Sequence, residues 1–429
     1  MKRTKIYSLV LLLLLGVEGN ALTLDEALKK AKKNSTYIKS SLKTLESLNY
    51  DIKEKERANY GRFDLQASYT HYDNERTLSV LTPSQMSSGK PIVTSQDILS
   101  VGVSYTLNLF NGFKDVKAIE IASLQKEIAN NYHKLTLKEI SYNVKSLYLS
   151  ILALESQQKA QTADIEALES LHSKIALKVK LGSIAKIDEL KSLADLISAK
   201  TKLSSIKTNI TIAKESLATL MMQDSVDNLE DISIAVDEMG LQPLQSYEDD
   251  IALSDKVILA SLGVKKAQKN SALVDGSYYP KVDFSAYYGQ NSEIEEFESE
   301  DMWQAGVTLK WNIYDFGRKD ALVQKADIAL YKTQLEKQKV QREIKKEIVE
   351  AVARVKESIE SYKNAKIQLE LLAQTQKIEE IRYENGASNI NDLLYTKSRY
   401  SLAKSMLIGS KYSYKKALYF LEYIVQKGE

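Results

Sequence analysis

Four stretches of the chain alternate strictly between apolar and polar residues. Over Leu99–Leu109 the odd positions are Leu99, Val101, Val103, Tyr105, Leu107 and Leu109, and the even ones are Ser100, Gly102, Ser104, Thr106 and Asn108. A period of two puts these sets on opposite faces, so the stretch reads as a strand with one apolar and one polar face. Asn111-Gly112 ends it with a turn signal. The construction returns at Trp303–Ile313, where Trp303, Ala305, Val307, Leu309, Trp311 and Ile313 alternate with Gln304, Gly306, Thr308, Lys310 and Asn312. Phe63–His71 and Tyr279–Tyr288 give two further strands of the same kind, and the segments 72–95 and 291–301 read as exposed loops.

Outside the strands the period becomes helical. Thr23 with Glu26 three residues on is a capping box, and it opens a helix predicted to reach about Asn59. Lys114 to about Val179 holds no proline or glycine. A helix of about 65 residues is roughly 100 Å long. Ile140, Val144, Leu147, Ile151 and Leu154 alternate spacings of four and three, the seam of a coiled coil. Gly182 breaks the run, and a helix over about 187–222 returns antiparallel. A second long helix, Arg318 to about Asn385, carries Ile348, Val352, Val355, Ile359 and Tyr362 at the same spacing; Gly386 breaks it, and a helix returns over about 392–426. Leu107 and Trp311 are 204 residues apart, and so are Gly182 and Gly386. One unit is therefore written twice. The first copy spans 22–247, with strands at about 62–71 and 98–110, long helices over about 114–222, and a closing linker holding Gly240 and Pro243. The second spans 248–429, with strands at about 279–289 and 302–314 and long helices over about 318–427.

The ends and the composition set the compartment. Residues 1–21 combine a basic start, a short leucine-rich core and Gly19-Asn20-Ala21, which predicts a secretory signal peptide cleaved after Ala21. The chain has no cysteine, so disulfides, thiolate metal sites and a lipidated N-terminal cysteine are excluded. A net charge of +2 with interspersed signs gives no reason to expect a nucleic-acid partner.

Strands of about 9–11 two-faced residues match the length a tilted strand needs to cross a bilayer. Open edges in lipid leave unpaired backbone groups at several kcal/mol each, and four strands are fewer than the roughly eight of the smallest barrels. Other copies of the chain must close the edges, which predicts a homo-oligomeric barrel in lipid. Val101, Val103, Tyr105, Trp303, Val307, Leu309 and Trp311 are then its lipid-facing residues, with Trp303 and Trp311 at opposite ends of one apolar face. The long helices are expected to project from it as a periplasmic bundle.

The order helix, hairpin, long helix, glycine, helix, written twice over residues 22–427, resembles the TolC-like outer-membrane efflux family. The strand ends Leu107–Phe110 and Trp311–Tyr314 and the segments Lys180–Asp188 and Tyr383–Asp392 carry the resemblance. It implies a mainly α fold with a transmembrane β part: a homotrimer whose 12-stranded outer-membrane β-barrel continues into a periplasmic α-helical barrel. It further implies a passive exit duct for efflux or type I secretion, served by a periplasmic adaptor (membrane fusion) protein and an inner-membrane efflux pump or ABC-type transporter. The glycine turns, at Gly182-Ser183 and Gly386-Ala387, would be the periplasmic tips where the adaptor docks. The resting constriction would lie beside them, at Asp188, Tyr383, Ser388 and Asp392, although Asp188 and Asp392 read equally well as N-caps of the returning helices. The sequence departs from the family at Gly61, where a proline like Pro280 usually initiates the strand, and at Ser388 and Tyr395, where the best-studied member has an arginine and an aspartate.

Catalysis has no constellation to rest on. His71, His133 and His172 show no metal-ligand spacing, and no phosphate loop or nucleophile elbow occurs. Neither an enzyme nor a cofactor is expected. The competing reading is a periplasmic coiled-coil adaptor or scaffold without a pore.

Overall fold

A computed structural model describes residues 21–89, 91–237, 241–248, 251–294 and 298–425. The signal peptide before Ala21, Gly240 of the linker and the middle of the acidic 291–301 loop lie outside the described residues. In chain order the elements are α1 (Leu24–Asn34), α2 (Thr36–Arg57), β1 (Arg62–Thr77), α3 (Pro83–Ser87), β2 (Thr94–Phe110), α4 (Lys114–Lys180), α5 (Lys186–Met221), α6 (Leu244–Glu248), α7 (Asp255–Asp275), β3 (Lys281–Glu293), β4 (Ser299–Lys310), α8 (Arg318–Glu384) and α9 (Ile390–Val425).

The chain divides into two compact units. One is built from Ser40–Leu135 and Ile251–Ile344 and holds the sheet. Its strands lie in the order β1-β2-β3-β4, each antiparallel to the next. Register carries the period-two pattern across all four: Leu65 faces Val103, Val103 faces Tyr288, and Tyr288 faces Trp303. The neighbouring row, on the opposite face, runs Gln66, Gly102, Gly289, Met302. Both strand-to-helix turns use two successive left-handed residues, Gly112 and Phe113 after β2 and Phe316 and Gly317 after β4. Asn111 and Asp315 then accept the backbone N–H groups of Asp115 and Lys319 at the helix starts, 3.4 Å each.

Several boundaries differ from the pattern reading. The first helix is two, because Ser35 turns extended at ψ 127 between α1 and α2. Asn34, freed there, donates its side-chain amide to the carbonyl of Met221 at the end of α5, 3.2 Å away. The capping box at Thr23 and Glu26 is present. β1 continues to Thr77, past the point where apolar alternation stops. Pro83 opens α3 inside the segment read as loop. A bulge between Asn108 and Phe110 leaves Leu109 out of the ladder, so Phe110 pairs with Val282. β4 ends at Lys310, which leaves Trp311 and Ile313 beyond the strand; the Trp311 indole N–H instead donates to the Tyr278 carbonyl at 3.0 Å.

Of the described residues, the second unit gathers those through Lys39, those from Thr136 into the linker, and those from Lys345 onward. On α8 the expected seam residues Ile348, Val352, Val355 and Ile359 are buried, and Tyr362 is half-buried. On α4 the buried face is wider than a two-position seam: Tyr148, Leu149 and Leu152 join Ile140, Val144 and Ile151, while Leu147 and Leu154 are only half-buried. Tyr148 explains the extra width. Its ring is fully buried, and its hydroxyl lies 2.7 Å from the Leu22 carbonyl and 2.8 Å from that of Glu230. It closes a short bridge in which Leu22 pairs with Leu229, and burial pushes its pKa up to about 12. Tyr148→Phe leaves both carbonyls without this donor and is expected to cost about 1–3 kcal/mol, read as a lowered midpoint in denaturant.

Candidate functional site

Two regions hold the residues singled out by the sequence. The first is the apolar face of the sheet. Val101, Val103, Val307 and Leu309 point to one side and are exposed, although they are aliphatic. Trp303 is 75% exposed and Leu309 64%. Tyr105 is half-buried, its ring centre 4.6 Å from that of Phe63 at a tilt of 34°, and it donates its hydroxyl to the Tyr60 carbonyl at 2.8 Å. Trp311, also exposed, stands just past the strand end. A contiguous apolar surface of this kind marks an interface with lipid or protein. The outer edges, β1 and β4, have no strand partner among the described residues.

The second region is the pair of turns at Gly182 and Gly386, which have the same hydrogen-bond pattern. Gly182 N–H donates to the Val179 carbonyl at 2.9 Å and Ser183 N–H to that of Lys178 at 2.9 Å. Gly386 N–H donates to Tyr383 at 3.1 Å and Ala387 N–H to Arg382 at 2.8 Å. Both are Schellman caps, with φ of 72° and 73° at the glycines, a conformation that disfavours any side chain. Under the turns, Ile175 of α4, Leu196 of α5 and Leu393 and Leu394 of α9 form a shared core, with Tyr383 packed against it.

Asp188 and Tyr383 lie close enough for the carboxylate to act on the phenol. Burial raises the Tyr383 pKa, and the Asp188 charge adds to the rise. The Tyr383 hydroxyl is buried without a hydrogen-bond partner among the described residues, and the Lys178 ammonium sits 5.1 Å from its ring centre. Ser388 and Asp392 turn elsewhere. Ser388 donates to Glu379, whose other carboxylate oxygen takes the Arg382 guanidinium at 3.1 Å. Asp392 accepts from the Asn389 amide at 2.8 Å, while its own N–H donates back to Asn389 at 3.1 Å. Neither aspartate is an N-cap: Ala185 and Asn389 precede α5 and α9, and Asp188 and Asp392 are each at the third helical position. Pattern reasoning missed Glu379, Arg382 and Asn389. The spacing of Asn389 and Asp392 was a legible capping signal, whereas a glutamate inside a charged helix gives no sign that it is 7% exposed.

The profile described as "Outer membrane efflux protein" matches residues 27–221 and 252–424. The chain belongs to the outer membrane efflux protein family. No curated protein matches it in sequence. Its fold is that of solved outer-membrane channels. A membrane protein from Pseudomonas aeruginosa superposes with TM-score 0.81 at 15% identity, covering 94% of this chain and 90% of that one. The CmeC outer membrane channel of Campylobacter jejuni gives 0.77 at 14% identity, covering 95% and 87%. The open state of the MtrE outer membrane channel of Neisseria gonorrhoeae gives 0.78 at 14% identity, covering 94% and 88%. A mainly helical chain with one small sheet is thus the family's architecture, and no helix among the described residues is long and apolar enough to cross a membrane.

Proposed function

We propose that three copies of this chain form an exit duct through the outer membrane, passively conducting substrates delivered from the periplasm. The carrying observation is the open four-stranded sheet, exposed and apolar on one face with an unpaired strand at each edge. Such edges are not stable in lipid, and pairing β4 of one copy with β1 of the next satisfies both. Three copies give a 12-stranded barrel, to which the repeats 22–247 and 248–429 each contribute one hairpin. Residues 1–21 direct export. No nucleotide or metal chemistry is assigned to the chain, so the driving force comes from an inner-membrane pump or ABC-type transporter coupled through a periplasmic adaptor.

The adaptor docks at the tips around Gly182-Ser183 and Gly386-Ala387, where grooves between helix hairpins suit helix-on-helix recognition. Asp188, Tyr383 and Asp392 form the constriction at rest. Ser388 acts indirectly, fastening its own turn to Glu379. Fractionation with heat treatment tests the assembly: a heat-modifiable oligomer in the outer-membrane fraction, forming channels in planar bilayers, is the expected result. A soluble periplasmic monomer would overturn it in favour of a scaffold.

A further inference from the structure

The polar face of the sheet carries a feature the duct reading does not use. Gly102 of β2 and Gly289 of β3 stand directly opposite each other, and both are buried despite having no side chain. The Tyr287 ring covers them. A Cβ built on Gly102 would sit 2.7 Å from Cε2 of that ring, and its three nearest neighbours are all Tyr287 side-chain atoms. A Cβ on Gly289 would meet the Tyr287 hydroxyl as well, but also the Val101 carbonyl oxygen at 2.6 Å and the Gly102 Cα at 2.7 Å. Glycine inside a strand weakens it unless something needs the space, and an aromatic ring laid over strand glycines recovers part of that loss. The two glycines make a trough one ring deep, and Tyr287 lies in it along the wall.

We propose that Tyr287 sets the bore of the strand-built conduit and that the Gly102–Gly289 trough is the seat holding its ring flat. The proposal rests on the duct reading, in which this polar face lines the lumen and a trimer places three such rings around it. Between the flanking strands the ring's neighbours in register are Ser104 and Gln304, both polar and uncharged. At this level the lumen wall discriminates by size rather than charge. A methyl at position 102 meets Tyr287 side-chain atoms before anything else, so the ring must swing inward. A methyl at 289 collides with the neighbouring strand and is not a clean probe.

The chain has no cysteine, so a single introduced thiol reports access. Thr308 is on the same face, nearer the helix end of β4 than Gln304, so a reagent entering from the loop end must pass Tyr287 to reach it. Thr308→Cys is labelled from outside with a small and a bulky maleimide. Adding Gly102→Ala is expected to slow the bulky reagent about tenfold with the small one nearly unchanged, as for any narrowed pore. Adding Tyr287→Ala as well is expected to restore the bulky rate. An unchanged bulky rate with Gly102→Ala, or no recovery in the variant lacking the ring, would overturn the proposal. Should Gly102→Ala block assembly, Tyr287→Ala must rescue the oligomer, since ring and methyl compete for one space; failure to rescue overturns it too. A thiol at 308 that neither maleimide reaches in the unaltered barrel would refute the duct reading itself, and this proposal with it.

Discussion

Lysine at Val103, and to a lesser degree at Leu309, is expected to deplete the heat-modifiable oligomer, while lysine at Thr308 leaves it intact. Leu309 and Thr308 are neighbours on one strand, both exposed, and period two puts them on opposite faces. In a soluble sheet the two changes would be nearly equivalent, because each would place an ammonium in water. In a barrel they differ. A lysine facing lipid costs about 2–4 kcal/mol at the bilayer midplane and less toward the interfaces, against little on the lumen side. Val103, inside β2, is therefore the stronger of the two sites and Leu309, next to the end of β4, the milder. Each assembled trimer would carry three such lysines, enough to shift folding away from the membrane. Ser104 is a poorer control than Thr308, because it is buried, bonded to the Gln66 amide at 3.2 Å and opposite Tyr287. Heat-modifiable migration of outer-membrane fractions is the measurement. Equal tolerance of lysine at both parities would remove the membrane from the assignment of these strands.

The sequence exposed this architecture unevenly, and the reasons are physical. Strands whose two faces meet different solvents write a period of two, which is why Leu99–Leu109 was readable residue by residue. The signal stops where both faces are polar, and β1 continues through Tyr72–Thr77 with no apolar row to announce it. Glycines that must adopt φ near +70° punctuated both long helices legibly. The break at Ser35 uses neither glycine nor proline, so a polar Asn-Ser-Thr run within a helical pattern gave no warning. The wider buried face around Tyr148 follows from packing against the Leu22 and Glu230 backbone, partners far away in sequence. At the tips, the glycines and the aspartates could be named in advance, but not which side chain bonds which. Glu379 is silent in sequence because its burial depends on the turn folding back over it. Resemblance to the family, rather than any residue pattern, supplied the number of subunits and the partners.

Neutralising the tip carboxylates is expected to change ion flow without changing the fold. Asp392→Asn keeps a side-chain oxygen that can accept from Asn389, so the start of α9 stays capped. The lost interaction of a charge with the first helical turn is worth about 0.3–1 kcal/mol. Asp188→Asn is milder still for folding, since Ala185 provides no side-chain cap to disturb. In a trimer each position becomes a ring of three carboxylates. Three unit charges at about 6 Å from a divalent ion attract it by roughly 4 kcal/mol in water before salt screening, and salt removes part of this. Each substitution is therefore expected to lower cation selectivity in planar bilayers and to weaken block by multivalent cations about tenfold, with the trimer unaltered. Asp188→Asn has a second signature: it removes the charge that adds to the raised Tyr383 pKa, so that phenol should titrate at lower pH than in the parent. The two aspartates need not contribute equally, because Asp392 is exposed and Asp188 is partly covered. Unchanged selectivity in both variants, alongside the shifted phenol, would mean that the carboxylates only support the helix starts and that the constriction is built from other side chains.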